Sequence, residues 1–132
     1  MSVVSARSLD EALHALARAP HALVLAGGTD VLVELESGRT RPRAIVDVWK
    51  LDALRGIRAD EGGVRFGALT TCTELLRSPL TPDVLVEAAR EVGAVQIQNR
   101  ATLGGNLGTA SPAADLNPVL LALGARVRLV SL

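Results

Sequence analysis

The run Thr102-Leu103-Gly104-Gly105-Asn106-Leu107-Gly108-Thr109-Ala110-Ser111-Pro112 crowds flexible glycines, small hydroxyl side chains and a proline into one short stretch. It reads as a loop that wraps a ligand: glycine tolerates positive φ and brings backbone N–H groups close to a bound group, while Thr and Ser hydroxyls bond phosphate or sugar oxygens. A structural Ω loop is the alternative. Ala26-Gly27-Gly28-Thr29-Asp30 has the same chemistry and directly follows the apolar segment Ala22-Leu23-Val24-Leu25. Strand, glycine turn, helix is the order of an anion site at a helix N-terminus, where amides and a dipole of about half a charge favour a diphosphate. The same order also makes a plain tight turn, with Thr29 or Asp30 capping the next helix. The run matches neither the dinucleotide-binding glycine fingerprint nor the P-loop pattern. A carboxylate repels a phosphate, so Asp30 reads better as a cap than as a ligand contact.

Composition narrows the classes of function. A chain of 132 residues, 48% of them hydrophobic, is long enough for one compact unit with a core, two lobes allowed. Lys plus Arg and Asp plus Glu number 14 each, so the net charge is zero and no basic field draws nucleic acid or an anionic membrane. Cys72 stands alone. That excludes an intrachain disulfide and leaves no cysteine framework for zinc or an iron–sulfur cluster, and a cytoplasmic, reducing setting is expected. No basic leader precedes an apolar run, and no apolar stretch reaches the ~20 residues of a membrane span. The aromatics are Phe66 and Trp49 alone, too few for a base-stacking surface.

Local signals place the elements. Ser8-Leu9-Asp10-Glu11 reads as a capping box, with Glu11 returning to the Ser8 N–H, ahead of a helix with Leu9, Ala12, Leu13 and Leu16 on one face. Ala22–Ala26 reads as a buried strand, Asp30–Glu36 as a helix closed by Gly38, and Ala44–Val48 and Val64–Phe66 as further strands. Thr70 or Thr71 caps a helix through Leu76; Thr81-Pro82-Asp83 opens another, with Val84, Leu85, Ala88, Ala89 and Val92 in helical period. Ala113–Leu123 reads as a buried helix starting near Asp115 and stopping at Gly124. Ala125–Val130 alternates as a strand. Asp115 serves equally as a cap or as a carboxylate for a sugar hydroxyl, and Arg100 as a phosphate partner or a solvated side chain. His14 and His21 have no ligand spacing and read as surface histidines, and Cys72 as packing rather than a nucleophile. No Ser-His-Asp or paired-carboxylate arrangement is legible.

The chain resembles the N-terminal part of the flavin-binding medium subunit of molybdenum hydroxylases, the xanthine dehydrogenase and carbon monoxide dehydrogenase family. The resemblance rests on Ala26-Gly27-Gly28-Thr29-Asp30, Phe66-Gly67-Ala68-Leu69-Thr70 with Glu74-Leu75, Gln96-Ile97-Gln98-Asn99-Arg100-Ala101, and Thr102 to Asn106 through Asp115-Leu116-Asn117-Pro118. It implies an α+β fold of the vanillyl-alcohol oxidase and p-cresol methylhydroxylase type, with FAD between two α/β subdomains: residues 1–55, carrying the pyrophosphate loop 26–30, and residues 56–132, carrying loop 102–111. Ala26, Gly27, Gly28, Thr29 and Asp30 fall in the implied first cradle. Thr102, Gly104, Gly105 and Asn106 fall in the loop gripping the diphosphate and ribityl chain, and Asp115 is the implied acidic contact.

The implied role is electron relay within an oxidoreductase. FAD takes electrons from a molybdopterin centre through [2Fe-2S] clusters, held by a large molybdenum subunit and a small iron–sulfur subunit, and passes them to NAD or another acceptor. A doubled heterotrimer is the implied assembly. Medium subunits of the family are longer than this chain, so the second subdomain is expected to be incomplete at its C-terminal end. A flavin-free remnant or assembly module of the same fold is the alternative, and a phosphate binder using only Gly27-Gly28 a third reading.

Overall fold

The computed structural model describes all residues, Met1 to Leu132, in two compact units: Met1–Ala53 with Arg128–Leu132, and Leu54–Val127. The first unit alternates strands and helices: β1 (Ser2–Ser5), α1 (Leu9–Arg18), β2 (Leu23–Leu25), α2 (Val31–Glu36) and β3 (Ala44–Asp47). Helical connections return the chain to the same end of the sheet each time, so all strands run parallel, in the order β1-β3-β2. Central β3 aligns Val46 with Val4 and Val24, and Ile45 with Val3 and Leu23. Ile45 and Val46 are buried, while all of β1 is exposed. Beyond the ladder, Asp47 ties the strand ends together: one oxygen accepts from the Ser5 hydroxyl at 3.0 Å and the other from the Trp49 N–H at 2.9 Å.

Helix α1 starts where its cap is written. The Ser8 hydroxyl accepts from the Glu11 N–H at 3.1 Å, and Ala12, one turn in, is buried against the sheet. Glu11 does not return to Ser8 as expected. Its carboxylate accepts from the Arg7 N–H at 2.8 Å, one residue further out.

The second unit opens with a hairpin, β4 (Ile57–Asp60) and β5 (Gly63–Phe66), turning through Gly62 at φ +81°. An exposed Arg65–Asp60 pair at 2.6 Å spans it, and the Glu61 N–H and Arg65 together hold the Asp60 carboxyl below its usual range. Five helices follow: α3 (Cys72–Arg77), α4 (Asp83–Glu91), α5 (Val95–Gln98), α6 (Leu103–Thr109) and α7 (Leu116–Ala122). Their core gathers Cys72, Leu75, Leu85, Ala89, Ala101, Leu103, Leu116 and Leu120, with Phe66 and Ile57 packed against it. Thr71 completes a full capping box with Glu74 on α3. The buried Gln98 side chain donates to the carbonyls of Arg90, at 3.0 Å, and Gly93, closing the turn before α5.

Two expectations change. The run 102–111 is mostly not a loop: Leu103–Thr109 is α6, capped by Thr102 and ended by Ala110 at φ 49°. Leu103 and Leu107 recur at helical spacing and pack into the core, and that packing outweighs the roughly 1 kcal/mol by which each glycine disfavours a helix. Ala125–Val130 forms no strand and is exposed throughout. Alternation marks a segment able to join a sheet, but strand geometry needs a ladder partner for its N–H and C=O groups, and none pairs with it here.

Ala110 is the one non-glycine residue at positive φ. Left-handed backbone costs an L-residue about 1–2 kcal/mol, and glycine gives back about 0.5–1 kcal/mol in unfolded-chain entropy. Ala110→Gly is therefore expected to stabilise the protein by about 0.5–1 kcal/mol, read as a higher urea midpoint with an unchanged m-value; a lower midpoint contradicts this account.

Candidate functional site

The first glycine segment leaves the C-terminal end of β2 and runs directly into α2. Gly27 and Gly28 are buried, Thr29 is half-buried and Asp30 is exposed. Gly28 sits at φ +83°, and its carbonyl already accepts from the Leu32 N–H at 3.0 Å, opening the helix. A Cβ there would lie 3.0 Å from the tip of the exposed Leu32 side chain, which can give way, so it is the backbone conformation that selects glycine. Asp30 occupies the N-cap position of α2 in helical conformation, and its side chain makes no cap bond. The capping role expected for it is therefore not the one it plays.

The second segment is held far more tightly. Residues 68–72 and 101–104 are laced together by backbone bonds: Cys72 N–H to Ala101 O at 2.9 Å, Leu103 N–H to Thr70 O at 2.9 Å, and Gly104 N–H to Ala68 O at 2.8 Å. Thr71 and Thr102 form an antiparallel bridge between these bonds. The Thr102 hydroxyl then accepts from the Gly105 N–H at 3.0 Å, and its carbonyl from the Asn106 N–H at 2.9 Å. Thus the N–H groups of Leu103, Gly104 and Gly105, which the first turn of a helix usually leaves orphaned, all have partners inside the protein. Gly104 and Gly105 present half-buried backbone without side chains rather than open amides.

Gly104 is required for this lacing. A Cβ on it would fall 2.7 Å from the Ala68 carbonyl oxygen and 2.9 Å from the Ala68 Cβ. Ala68 is thus the partner that sequence reasoning passed over as a site component. Its signal was its small size within the quoted Phe66-to-Thr70 run.

Beside the bare surface stands Asn106. Its Oδ1 is sealed from solvent and has no hydrogen-bond partner. Asp115, at the start of α7, is exposed, and its side chain makes no cap bond. Its charge is nonetheless felt at Cys72, at the start of α3. Burial first, and the Asp115 charge second, push the Cys72 thiol up to about 11. Thr102, Gly104, Gly105, Asn106 and Asp115 thus all lie in the second unit, and the residues 26–30 in the first. Of the bystanders, Asn99 Oδ1 accepts from the Thr73 hydroxyl at 2.6 Å, and His14 Nδ1 lies 2.9 Å from the Asp10 carbonyl oxygen on its own helix. No group of three or more His, Cys, Asp or Glu side chains is placed to hold a metal ion, and no helix is long and apolar enough to cross a membrane.

Residues 1–132 match the family described as the FAD binding domain in molybdopterin dehydrogenase, and the chain belongs to that family. The xanthine dehydrogenase FAD-binding subunit of Escherichia coli O157:H7 is 42% identical over 114 residues, which cover 83% of this chain and 39% of that relative. The nicotinate dehydrogenase FAD-subunit of Eubacterium barkeri is 37% identical over 131 residues, covering 95% and 44%. Among solved structures, the carbon monoxide dehydrogenase of Hydrogenophaga pseudoflava superposes with a TM-score of 0.89 at 29% identity, over 92% of this chain and 44% of that one. The chain therefore spans less than half the length of these relatives.

Two outcomes follow from this geometry. Gly104→Ala is expected to destabilise the protein by about 1–3 kcal/mol in urea unfolding, because backbone rather than a flexible side chain must give way; no loss would mean that α6 slides freely on Ala68. The raised Cys72 thiol stays neutral in the folded state up to about 11, while the unfolded thiol ionises near its ordinary 9. Stability from this group is complete below pH 9 and is lost as pH climbs towards 11. Cys72→Ala is expected to flatten that part of the unfolding-midpoint profile, and an equally steep profile would assign it to other groups.

Proposed function

We propose that this chain carries FAD in a molybdenum hydroxylase, as the electron-transfer component of an oxidoreductase. The observation that carries the reading is the family match along residues 1–132. It is supported by relatives named as FAD subunits of dehydrogenases for xanthine and nicotinate. FAD, when bound, supplies the redox chemistry, and the protein supplies binding, orientation and electrostatics.

The residues of the chain suit such a guest. Asn106 Oδ1 is an acceptor that lacks a donor, and FAD brings donors in its ribityl hydroxyls, ribose hydroxyls and ring N–H. Gly104 and Gly105 leave a surface without side chains, on which a cofactor lies close to the backbone. Gly27, Gly28 and Thr29 form the second proposed contact, with Ala26 and Asp30 flanking it. Asp115, its carboxylate spent on no cap, is proposed to accept from a cofactor hydroxyl. The fold is proposed to be the vanillyl-alcohol oxidase type, with residues 1–55 and 56–132 as its two flavin-binding subdomains. Electrons arrive, on this reading, from molybdopterin and [2Fe-2S] centres in a large and a small partner subunit, and leave to NAD or another acceptor, in the cytoplasm.

Titration of the purified chain with FAD, followed by flavin fluorescence, tests the reading. Saturable binding is expected, lost in a Gly104→Val, Gly105→Val double variant, with a melting temperature that rises with FAD concentration as binding to the folded state alone requires; at a hundredfold excess over Kd the gain is about 2.7 kcal/mol. Absence of binding by the unaltered chain would refute the proposed site and favour the flavin-free alternative.

A further inference from the structure

Strand β1 is an edge of the parallel sheet, bonded to β3 on one side and to no strand on the other. Edge strands are normally blunted by a charge, a proline, a bulge or a covering loop. Ser2-Val3-Val4-Ser5 has no charge and no proline, pairs with β3 in unbroken register, and leaves Val3 56% and Val4 37% exposed. The N–H groups of Ser2 and Ala6 face β3, donating to the carbonyls of Arg43 at 3.0 Å and Asp47 at 2.9 Å. Direction alternates along a strand, so the N–H and C=O groups of Val3 and Ser5 face outward. Helix α1 packs on β3, and a groove of about 250 Å³ remains between that helix and β1. Val4 lines its floor, and Glu11, Ala15 and Arg18 stand along its helical wall. Glu11 and Arg18 are exposed and make no ion pair within the chain. They lie two turns apart on α1, about 10 Å along the axis.

We propose that β1 pairs with β1 of a second copy of this chain, antiparallel about a two-fold axis at Val4, joining two three-stranded sheets into one of six. That axis sets Val3 of each copy opposite Ser5 of the other, so the outward groups form four N–H···O=C bonds and no charge is buried. The two Val4 side chains meet on the groove face. With strands about 4.8 Å apart, the two α1 helices, each over its own β3, run antiparallel about 14 Å from one another. Ala15 is too small to close that gap. Glu11 of each copy spans it to Arg18 of the other, and the arginine stems lie over the Val4 floor. This charge pattern selects a second copy as the occupant: the axis that pairs the strands also sets each acid against the other copy's base, every contact being made twice. The contact is small, below about 1,200 Å² in total, so the dimer dissociates on dilution.

Sedimentation velocity of the purified chain over a concentration series, without FAD, tests the inference independently of the cofactor reading. The unaltered chain is expected to pass from monomer to dimer as concentration rises, with the Val3 and Ser5 amides exchanging more slowly in the dimer. Val3→Pro removes an N–H that β3 does not use, so the variant is expected to fold as before and to dimerise at least about tenfold more weakly. Arg18→Glu and Glu11→Arg, each alone, set like charges across the axis and are expected to weaken the dimer by about tenfold. An equimolar mixture of those two variants is expected to regain it, because each pair again sets acid against base. A chain that stays monomeric at millimolar concentration overturns the inference. So does a dimer that neither Val3→Pro nor the charge reversals weaken, since it must form through another face.

Discussion

Everything in the second unit depends on how closely α6 approaches the backbone at Ala68. The Gly104 N–H reaches the Ala68 carbonyl at 2.8 Å, and no side chain larger than hydrogen fits at that crossing. Because the contact is backbone to backbone, it fixes both the position and the direction of the helix start. The neighbouring bonds from Leu103 to Thr70 and from Cys72 to Ala101 then place Leu103 and Cys72 in one core with Leu75, Leu116 and Leu120. A glycine that looks like freedom in the sequence therefore acts as a constraint. The chain gives up helix propensity there and gains a helix start whose Leu103, Gly104 and Gly105 amides are satisfied.

That satisfaction sharpens what remains unsatisfied. A protein that closes the first turn of α6 on itself, completes a capping box at Thr71 and ties down the Gln98 carboxamide still leaves two asparagine oxygens sealed and unpaired on adjacent helices. The first unit handles its glycines differently. There the parallel sheet sends β2 into a turn where Gly28 takes a φ of +83°, and Thr29 and Asp30 follow it into α2.

Much of this was legible in residues whose chemistry is local. Ser8 and Thr71 announce their helices because a hydroxyl at the N-cap finds its amide three residues on, whatever the rest of the chain does. The strands at Leu23–Leu25 and Ala44–Asp47 show as apolar runs between turn signals, but the burial expected of both holds only for the second, at Ile45 and Val46, while Val24 is exposed on the edge strand. Strands β1 and β4 were missed: Ser2–Ser5 is exposed along its length, and Ile57–Asp60 alternates apolar and polar residues over only four positions, all but Ile57 exposed, in a stretch where charges and glycines dominate. The helix inside the glycine run was misread because it is held by Thr70 and Ala68, more than thirty residues earlier in the chain. The candidate site divides the same way: its glycine segments were proposed from sequence and family resemblance, whereas the internal use of the Gly104 and Gly105 amides and the unpaired Asn106 Oδ1 are facts of packing.

The seclusion of Cys72 also bears on chemical endurance. Attack by peroxide on a thiol proceeds through the thiolate, and this chain's sole thiol is both fully buried and held protonated far above neutral pH. The other side chains that oxidants commonly damage are nearly absent: there is one methionine, at the N-terminus, one tryptophan and no tyrosine. The polypeptide is thus a poor target for reactive oxygen, a property suited to a scaffold that can sit beside redox chemistry through many turnovers without recording it as covalent damage.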